Sequence, residues 1–242
     1  MKPFAAAARA AALAVPVVAT ALPALAQEAN PLSFNVSVTS DYRYRGISQT
    51  RLKPALQGGV DYAHSSGFYV GAWASTIKWI SDGGGDADVE IDTYAGYKDE
   101  VGGGVTVDVG FLRYNYPGND LPVSANTNEL YGAVSFGPAT LKYSHSISNL
   151  FGFADSKNSS YLDLSATFDI GGGFSLTPHI GHQKVKNNSD FSYTDYSLTV
   201  NKDWSGFTFG AGFVATNTDN YIGGKGKDLG KNGVVVSVKK VF

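Results

Sequence analysis

Residues 32–45, LSFNVSVTSDYRYR, alternate between two kinds of side chain with a period of two. The even positions are apolar or aromatic except at Ser40, and the odd positions are all polar. This period is typical of a β-strand whose two faces lie in different environments. An ordinary strand has about 5 to 6 residues, whereas a strand that crosses a bilayer has about 9 to 11. The sequence therefore predicts a strand from Leu32 to Arg45 that is long enough to span a membrane.

Residues 1–26 differ in character from the rest of the chain. They combine a weakly basic start with an Ala/Leu/Val-rich run, and they end in Ala24-Leu25-Ala26, a small-x-small cleavage site. These features are typical of a secretory signal peptide. Two prolines inside the run disfavour the alternative, a transmembrane helix. We expect cleavage at this site, with Ala24 and Ala26 as its small residues, and a mature domain over residues 27–242.

Composition limits what the mature chain can be. The chain has no cysteine, which excludes disulfides and thiolate metal sites. Removal of residues 1–26 changes the formal charge from −2 to −4, because two basic residues and no acidic ones are lost, and nothing indicates a nucleic-acid partner. The mature chain also lacks an apolar run of 18 or more residues. If it spans a membrane, it must do so as a β-barrel.

The alternation recurs to the last residue and predicts twelve strands, which we interpret as a single transmembrane antiparallel β-barrel. Segments after even-numbered strands are short and Gly-rich, whereas segments after odd-numbered strands are longer and polar. The predicted turns are 64–67, 99–104, 137–138, 169–173 and 203–206, and the predicted loops are 46–53, 80–88, 117–127, 148–159, 185–192 and 217–232. Short periplasmic turns and long extracellular loops are typical of bacterial outer-membrane barrels.

Aromatic residues on the outward phase concentrate at the short-turn end. They predict an aromatic girdle at one membrane interface, and they disfavour a soluble β-sandwich. The predicted girdle consists of Phe34, Tyr62, Phe68, Tyr97, Phe136, Phe168, Phe174, Phe207 and Phe242. One strand departs from the pattern: near Leu112 and Arg113 the aromatic face changes phase, which predicts a β-bulge and an inward Arg113.

Three N-terminal blocks resemble the TorF family of proteobacterial outer-membrane proteins. They are SDYRYRGISQ at 40–49, PALQGG at 54–59 and SGFYVGAWAS at 66–75. The resemblance continues to the terminal Phe242 and covers nearly all of the mature chain. It implies an outer-membrane barrel of porin type, without an established substrate. Val234 to Phe242 also resembles the signal read by the barrel-assembly machinery, with Phe242 as its closing aromatic residue and Lys240 as a departure.

Enzymatic chemistry is disfavoured by the placement of the four histidines. His145 and His182 lie on the outward phase without a serine on a neighbouring strand, His179 lies on the inward phase, and His64 lies in a turn. No Ser-His pair is predicted, so we expect no catalytic residue. Residues 82–90 form an acidic, Gly-rich loop, but their spacing differs from that of an EF-hand. We interpret them as a solvated loop and expect neither a metal nor a cofactor.

Charged residues on the inward phase are the candidate pore lining. Charges buried without water or partners cost several kcal/mol each, and a water-filled pore removes this cost. The alternative is that the charges pair across the lumen and plug it. The candidates are Asp41, Arg43, Arg45, Asp61, Glu90, Asp92, Asp108, Glu129, Lys142 and Asp163, with Asp195, Lys98 and Lys239 on the same phase.

Strand geometry predicts the size of the lumen. Twelve strands about 4.8 Å apart and tilted by about 40° give a backbone diameter of about 24 Å. Side chains then leave about 10 Å, provided that no loop folds inward. The excess of inward acids predicts a slight cation preference. Arg43 and Arg45 are expected at a constriction or at the outer mouth, and with Arg51 and Lys53 they would instead attract anions or bind lipopolysaccharide phosphates.

The sequence therefore predicts a channel in the outer membrane of a Gram-negative bacterium that passes small hydrophilic solutes or ions. Its expected partners are membrane lipid, lipopolysaccharide and the barrel-assembly machinery. Three alternatives remain open. They are a non-conducting barrel whose loops bind a partner or lipopolysaccharide, an outer-membrane hydrolase, and a soluble lectin-like protein.

Overall fold

The computed structural model describes residues 30–242, so the predicted signal peptide and its cleavage site lie outside the described residues. Twelve antiparallel strands form a closed barrel, in which the last strand pairs with the first. They are β1 (Leu32–Thr39), β2 (Ala55–Ala63), β3 (Phe68–Thr76), β4 (Val89–Gly102), β5 (Val105–Asn115), β6 (Thr127–Phe136), β7 (Ala139–Ser146), β8 (Ser160–Ala166, continued by Phe168–Gly171), β9 (Phe174–Lys184), β10 (Tyr193–Trp204), β11 (Phe207–Thr216) and β12 (Gly233–Val241). The predicted fold class and strand number are confirmed.

Apolar side chains cover the outer surface of the barrel. In β1 the exposed residues are Phe34, Val36 and Val38, and the residues between them are half-buried. The same alternation continues around the barrel, and the predicted girdle residues are exposed except for the half-buried Tyr97. An apolar surface this extensive needs lipid rather than water around it. No helix within residues 30–242 is long and apolar enough to cross a bilayer.

The connections have two lengths, as predicted. At one end the strands are joined by tight turns such as Ser205-Gly206, where φ values of 50° and 78° define the type I′ geometry that suits a two-residue hairpin. At the other end the chain forms the segments 40–54, 77–88, 116–126, 147–159, 185–192 and 217–232. The segment 77–88 includes one helical turn, Trp79–Asp82.

The first long segment corrects the prediction for residues 32–45. β1 ends at Thr39, and residues 41–50, which we call the inner hairpin, are all buried. Arg43–Tyr44 pairs with Ile47–Ser48, and the tip residues Arg45 and Gly46 have φ values of 46° and 79°. The hairpin is extended, so its sequence keeps the two-residue period although the chain has left the wall of the barrel.

The predicted bulge in the fifth strand is wrong. β5 pairs with β4 and β6 in continuous register through Leu112 and Arg113. Leu112 and Tyr114 lie on the inward face and belong to one buried cluster with Tyr42 of the inner hairpin. Arg113 lies on the outward face, and its Nη1 donates to Asn128 Oδ1 at 3.2 Å. The inward face becomes apolar here because it packs against the hairpin.

Candidate functional site

The tip of the inner hairpin reaches across the lumen through Arg45. Its Nη2 donates to Glu129 Oε2 of β6 at 2.7 Å, and its Nη1 donates to Gln183 Oε1 of β9 at 2.7 Å. The guanidinium also lies over the ring of Tyr161 in β8, 4.3 Å from the ring centroid. The Arg45 carbonyl accepts a hydrogen bond from the Tyr193 hydroxyl of β10 at 2.8 Å. One residue therefore contacts four strands of the wall.

The Arg45–Glu129 ion pair is buried, with 3% and 1% of the two residues exposed. Burial disfavours the charged guanidinium, but the Glu129 carboxylate together with Tyr44 and Tyr114 outweighs this effect, and the pKa of Arg45 lies above its ordinary value. The arginine therefore stays charged. Removal of one partner from such a pair strands a buried charge and costs about 3–5 kcal/mol.

Asp41 and Arg43 hold the hairpin together from within. Arg43 Nε donates to Asp41 Oδ2 at 2.5 Å, and Ser48 Oγ donates to Asp41 Oδ1 at 2.5 Å. Arg43 Nη1 donates to the carbonyls of Gly46 and Leu229, the latter in the last long loop. Both charges are satisfied inside the structure. Of the two places expected for Arg43 and Arg45, the structure puts neither residue at an open outer mouth, because both are buried in the inner hairpin. Their role at a constriction stays a prediction.

Two acids of β4 lie beside the hairpin. Glu90 Oε1 accepts a hydrogen bond from the Tyr42 hydroxyl at 3.1 Å. Glu90 Oε2 and both carboxyl oxygens of Asp92 have no hydrogen-bond partner among residues 30–242, although 1% and 0% of the two residues are exposed. Buried carboxyl groups are ordinarily hydrogen-bonded, so Glu90 and Asp92 are unusual among buried acids.

Tyrosines line the lumen nearer the short-turn end. Tyr69 donates to Asp108 Oδ1 at 2.6 Å, and Tyr94 donates to Asp61 Oδ1. A Cβ atom added at Gly71 would lie 2.5 Å from the Tyr94 ring, so this glycine lets the ring lie flat against the wall. Tyr69 and Tyr94 thus hold the carboxylates of Asp108 and Asp61 by hydrogen bonds.

Basic residues share this part of the lumen. Lys142 Nζ lies 4.1 Å from the centroid of the Tyr131 ring. Lys98 and Lys239 also lie on the inward phase and are half-buried. The lining on this side of the hairpin therefore carries both signs of charge.

The histidines lie on the faces that the sequence predicts. His179 faces inward, and its Nε2 lies 2.6 Å from Asp163 Oδ2, while the nearby Asp195 accepts from Tyr161 at 2.9 Å. His182 faces outward and contacts Thr194. His145 also faces outward and contacts Asn158, but Ser160 of β8 lies directly opposite it in the strand register, so the expectation of no serine on a neighbouring strand is wrong for His145. Among residues 30–242, no hydrogen bond joins His145 to Ser160. His64 contacts Ser66 within an exposed turn, a local contact that the sequence argument missed.

The acidic loop is not fully solvated. The Asp82 side chain is 4% exposed, and Arg51 Nε donates to its Oδ2 at 2.9 Å. Asp88 is exposed and pairs with Lys78 at 2.7 Å, and this hydrogen bond lowers the pKa of Asp88. Within residues 30–242, no group of three or more His, Asp or Glu side chains is arranged to hold a metal ion.

Sequence reasoning missed the wall residues that receive Arg45. Gln183, Tyr161 and Tyr193 are neutral, so a list of inward charges passes over them. Tyr161 and Tyr193 share the inward phase with Asp163 and Asp195 on the same strands, and Gln183 shares it with His179. The two-residue period of the sequence could have found them, because it places each of these three residues on the inward face.

The family comparison covers almost the whole chain. Residues 24–242 match the model of a family described as a bacterial protein of unknown function (Gcw_chp). No curated protein matches the chain. The family description does not use the TorF name, so the placement in the TorF family stays a prediction.

Solved porins share the architecture. The KdgM porin in complex with disordered oligogalacturonate is 8% identical, with a TM-score of 0.58 over 87% of this chain and 98% of that chain. The NanC porin is 11% identical, with a TM-score of 0.54 over 87% and 98% of the two chains. At these identities the likeness concerns the fold.

Proposed function

Because the chain belongs to the Gcw_chp family of bacterial proteins of unknown function, its activity has to be argued from the lumen, and we propose that it is an outer-membrane channel for small hydrophilic solutes or ions. The inner hairpin sets its conductance. The KdgM and NanC porins, which share the fold, support the proposal at the level of the channel class.

One observation carries this proposal: the lumen is closed by a loop that the wall holds with polar contacts. The hairpin tip is fixed by Arg45 to Glu129 and Gln183, and its base by Tyr42 to Glu90. Water can replace hydrogen bonds of this kind when the hairpin moves, since folding exchanges protein–water bonds for protein–protein bonds at a small net gain. Nearer the short-turn end the lining is polar and charged, as a solute path requires.

A second candidate function is a non-conducting barrel whose long loops bind a partner or lipopolysaccharide. The burial of every residue from 41 to 50 favours it, because a hairpin packed this tightly against the wall narrows the lumen in the observed conformation. Some outer-membrane barrels are indeed filled by loops.

Single-channel current in a planar bilayer with a salt gradient separates the two candidates. The channel predicts discrete current steps that grow with salt concentration. A barrel that is folded, as judged by its heat-modifiable migration on a gel, and that stays silent at all voltages would exclude the channel and leave the loops as the functional surface.

The cellular setting belongs to the same proposal. The signal peptide is removed after Ala26, the assembly machinery recognises Phe242, and the barrel lies among lipid and lipopolysaccharide in the outer membrane. The resemblance of residues 40–75 to the TorF family supports this setting. Membrane fractionation and N-terminal sequencing of the mature protein test it, and a mature N-terminus elsewhere would contradict the cleavage site.

A further inference from the structure

A cavity of about 250 Å³ lies at the long-loop end of the barrel. One side of it is formed by the inner hairpin, through residues such as Tyr44 and Gln49. The other sides come from the loops that follow β3, β5, β7, β9 and β11. Most of the loop side chains that line it are half-buried, so the cavity is reachable from outside the barrel.

Two sets of aromatic rings line this cavity, in addition to Tyr44 and Phe151, whose ring centroids lie 5.4 Å apart. In the first set, Trp79 and Tyr116 meet edge to face, with centroids 5.2 Å apart. In the second set, Phe191 lies 4.7 Å from Phe153 and 5.6 Å from Tyr221, measured between ring centroids. Within residues 30–242, no ring pair joins the first set to the second. The rings pack within each set, and rings of both sets line the cavity.

The cavity offers no free charge to a ligand. Among the described residues that line it, the one charged side chain is Asp82, and its carboxylate is already bound by Arg51. Burial raises the pKa of Tyr116 and of Tyr221, so both phenols stay neutral. The remaining polar groups are hydroxyls and neutral amides such as Gln49. An ion that entered would lose hydration without gaining a counter-charge.

We infer that this cavity binds a small uncharged molecule with one aromatic ring, which lies between the two sets of rings. Aromatic rings attract each other in offset and edge-to-face arrangements beyond the effect of area burial. Pockets that are mainly apolar, with a few polar groups, are the usual sites for such ligands. This site goes beyond the proposed channel, because binding in it does not require that the barrel conduct.

Fluorescence of Trp79 tests the inference directly. The chain has three tryptophans, so the double variant W73F/W204F leaves Trp79 as the sole reporter. The probe is 4-nitrobenzyl alcohol, an uncharged single-ring quencher, added to the folded barrel in detergent. The matched control W73F/W79F leaves only Trp204, which is exposed on the outer surface at the short-turn end. Any partition of the probe into detergent affects both reporters.

We expect saturable quenching of Trp79 and only linear quenching of Trp204. Phe153→Ala and Phe191→Ala, in different loops, should each raise the half-saturating probe concentration by up to about tenfold, since each removes one ring contact with the probe. Benzoate, a charged single-ring competitor, should displace the probe less well than benzyl alcohol. Linear quenching of both reporters would overturn the inference. So would a half-saturating probe concentration in both alanine variants equal to that without these substitutions, or a stronger displacement of the probe by benzoate than by benzyl alcohol.

Discussion

Replacing Arg45 with alanine should open the lumen. The guanidinium is the one group that fixes the hairpin tip to both β6 and β9, through Glu129 and Gln183. Its removal leaves the Glu129 carboxylate buried without its cation, while the strand pairing of the barrel wall is untouched. The docked hairpin is therefore destabilised and the barrel is not.

The magnitude follows from the burial of the pair. Breaking a buried ion pair by removing one partner costs about 3–5 kcal/mol. Each 1.4 kcal/mol changes an equilibrium tenfold, so the ratio of docked to undocked hairpin should fall by roughly 100-fold to a few thousand-fold. If the wild-type channel opens rarely, the variant should be open for a large fraction of the recording.

Single-channel recording measures this open fraction. Glu129→Ala should also open the lumen, because it strands the buried Arg45. The double variant R45A/E129A should open less than the sum of the two single effects predicts, since no unpaired charge remains. Arg113→Ala is the matched control, because Arg113 faces outward and bonds only the side chain of Asn128. A folded R45A barrel with wild-type open fraction, or strictly additive effects in the double variant, would refute the reasoning.

Three further predictions concern the wall, the charges and the C-terminus. Gly71→Ala should destabilise the barrel by about 1–3 kcal/mol in urea unfolding, because the new Cβ displaces the Tyr94 ring that lies against the glycine. Replacing Asp61 and Asp108 with asparagine should move the reversal potential toward the equilibrium potential of chloride, because the inward lysines then lack their neighbouring negative charges. Phe242→Ala should lower the amount of folded barrel in the outer membrane, as measured by heat-modifiable migration of membrane fractions, since it removes the predicted assembly signal.

Two of these changes, Gly71→Ala and Phe242→Ala, have a counterpart that should have little effect. Gly132→Ala places its Cβ no closer than 4.0 Å to Val109 and should unfold like the wild type. Trp204→Ala removes another exposed aromatic residue at the short-turn end and should assemble normally. If Gly132→Ala destabilised the barrel as much as Gly71→Ala, the contact with Tyr94 would not be the cause. If Trp204→Ala lowered assembly as much as Phe242→Ala, the C-terminal position would not be the cause. An unchanged reversal potential in the asparagine variant would show that the inward acids do not set selectivity.

The twelve strands and the two kinds of connection could be predicted because a barrel wall separates two solvents. Its side chains must alternate, and its tight turns demand glycine. The inner hairpin could not be predicted in this way. Residues 42–44 are extended both in a wall strand and in a hairpin, so the period is the same in both. What differs is the environment of Tyr42 and Tyr44, which face the interior instead of lipid, and a single sequence does not encode that difference locally.

The distant signal for the hairpin lies in the wall that it packs against. A lumen filled with water needs polar side chains on the inward phase, and the wall follows this rule near the short-turn end. Nearer the long loops, the inward phase carries Leu112 and Tyr114 in β5 and Trp73 in β3, whose ring meets that of Tyr42 at 5.4 Å. Apolar side chains there would be unfavourable unless something apolar covered them. The apparent change of phase in β5 therefore reflects the apolar inner hairpin that packs against this part of the wall. Once Tyr44 is docked against Tyr114, the next residue, Arg45, comes within reach of Glu129.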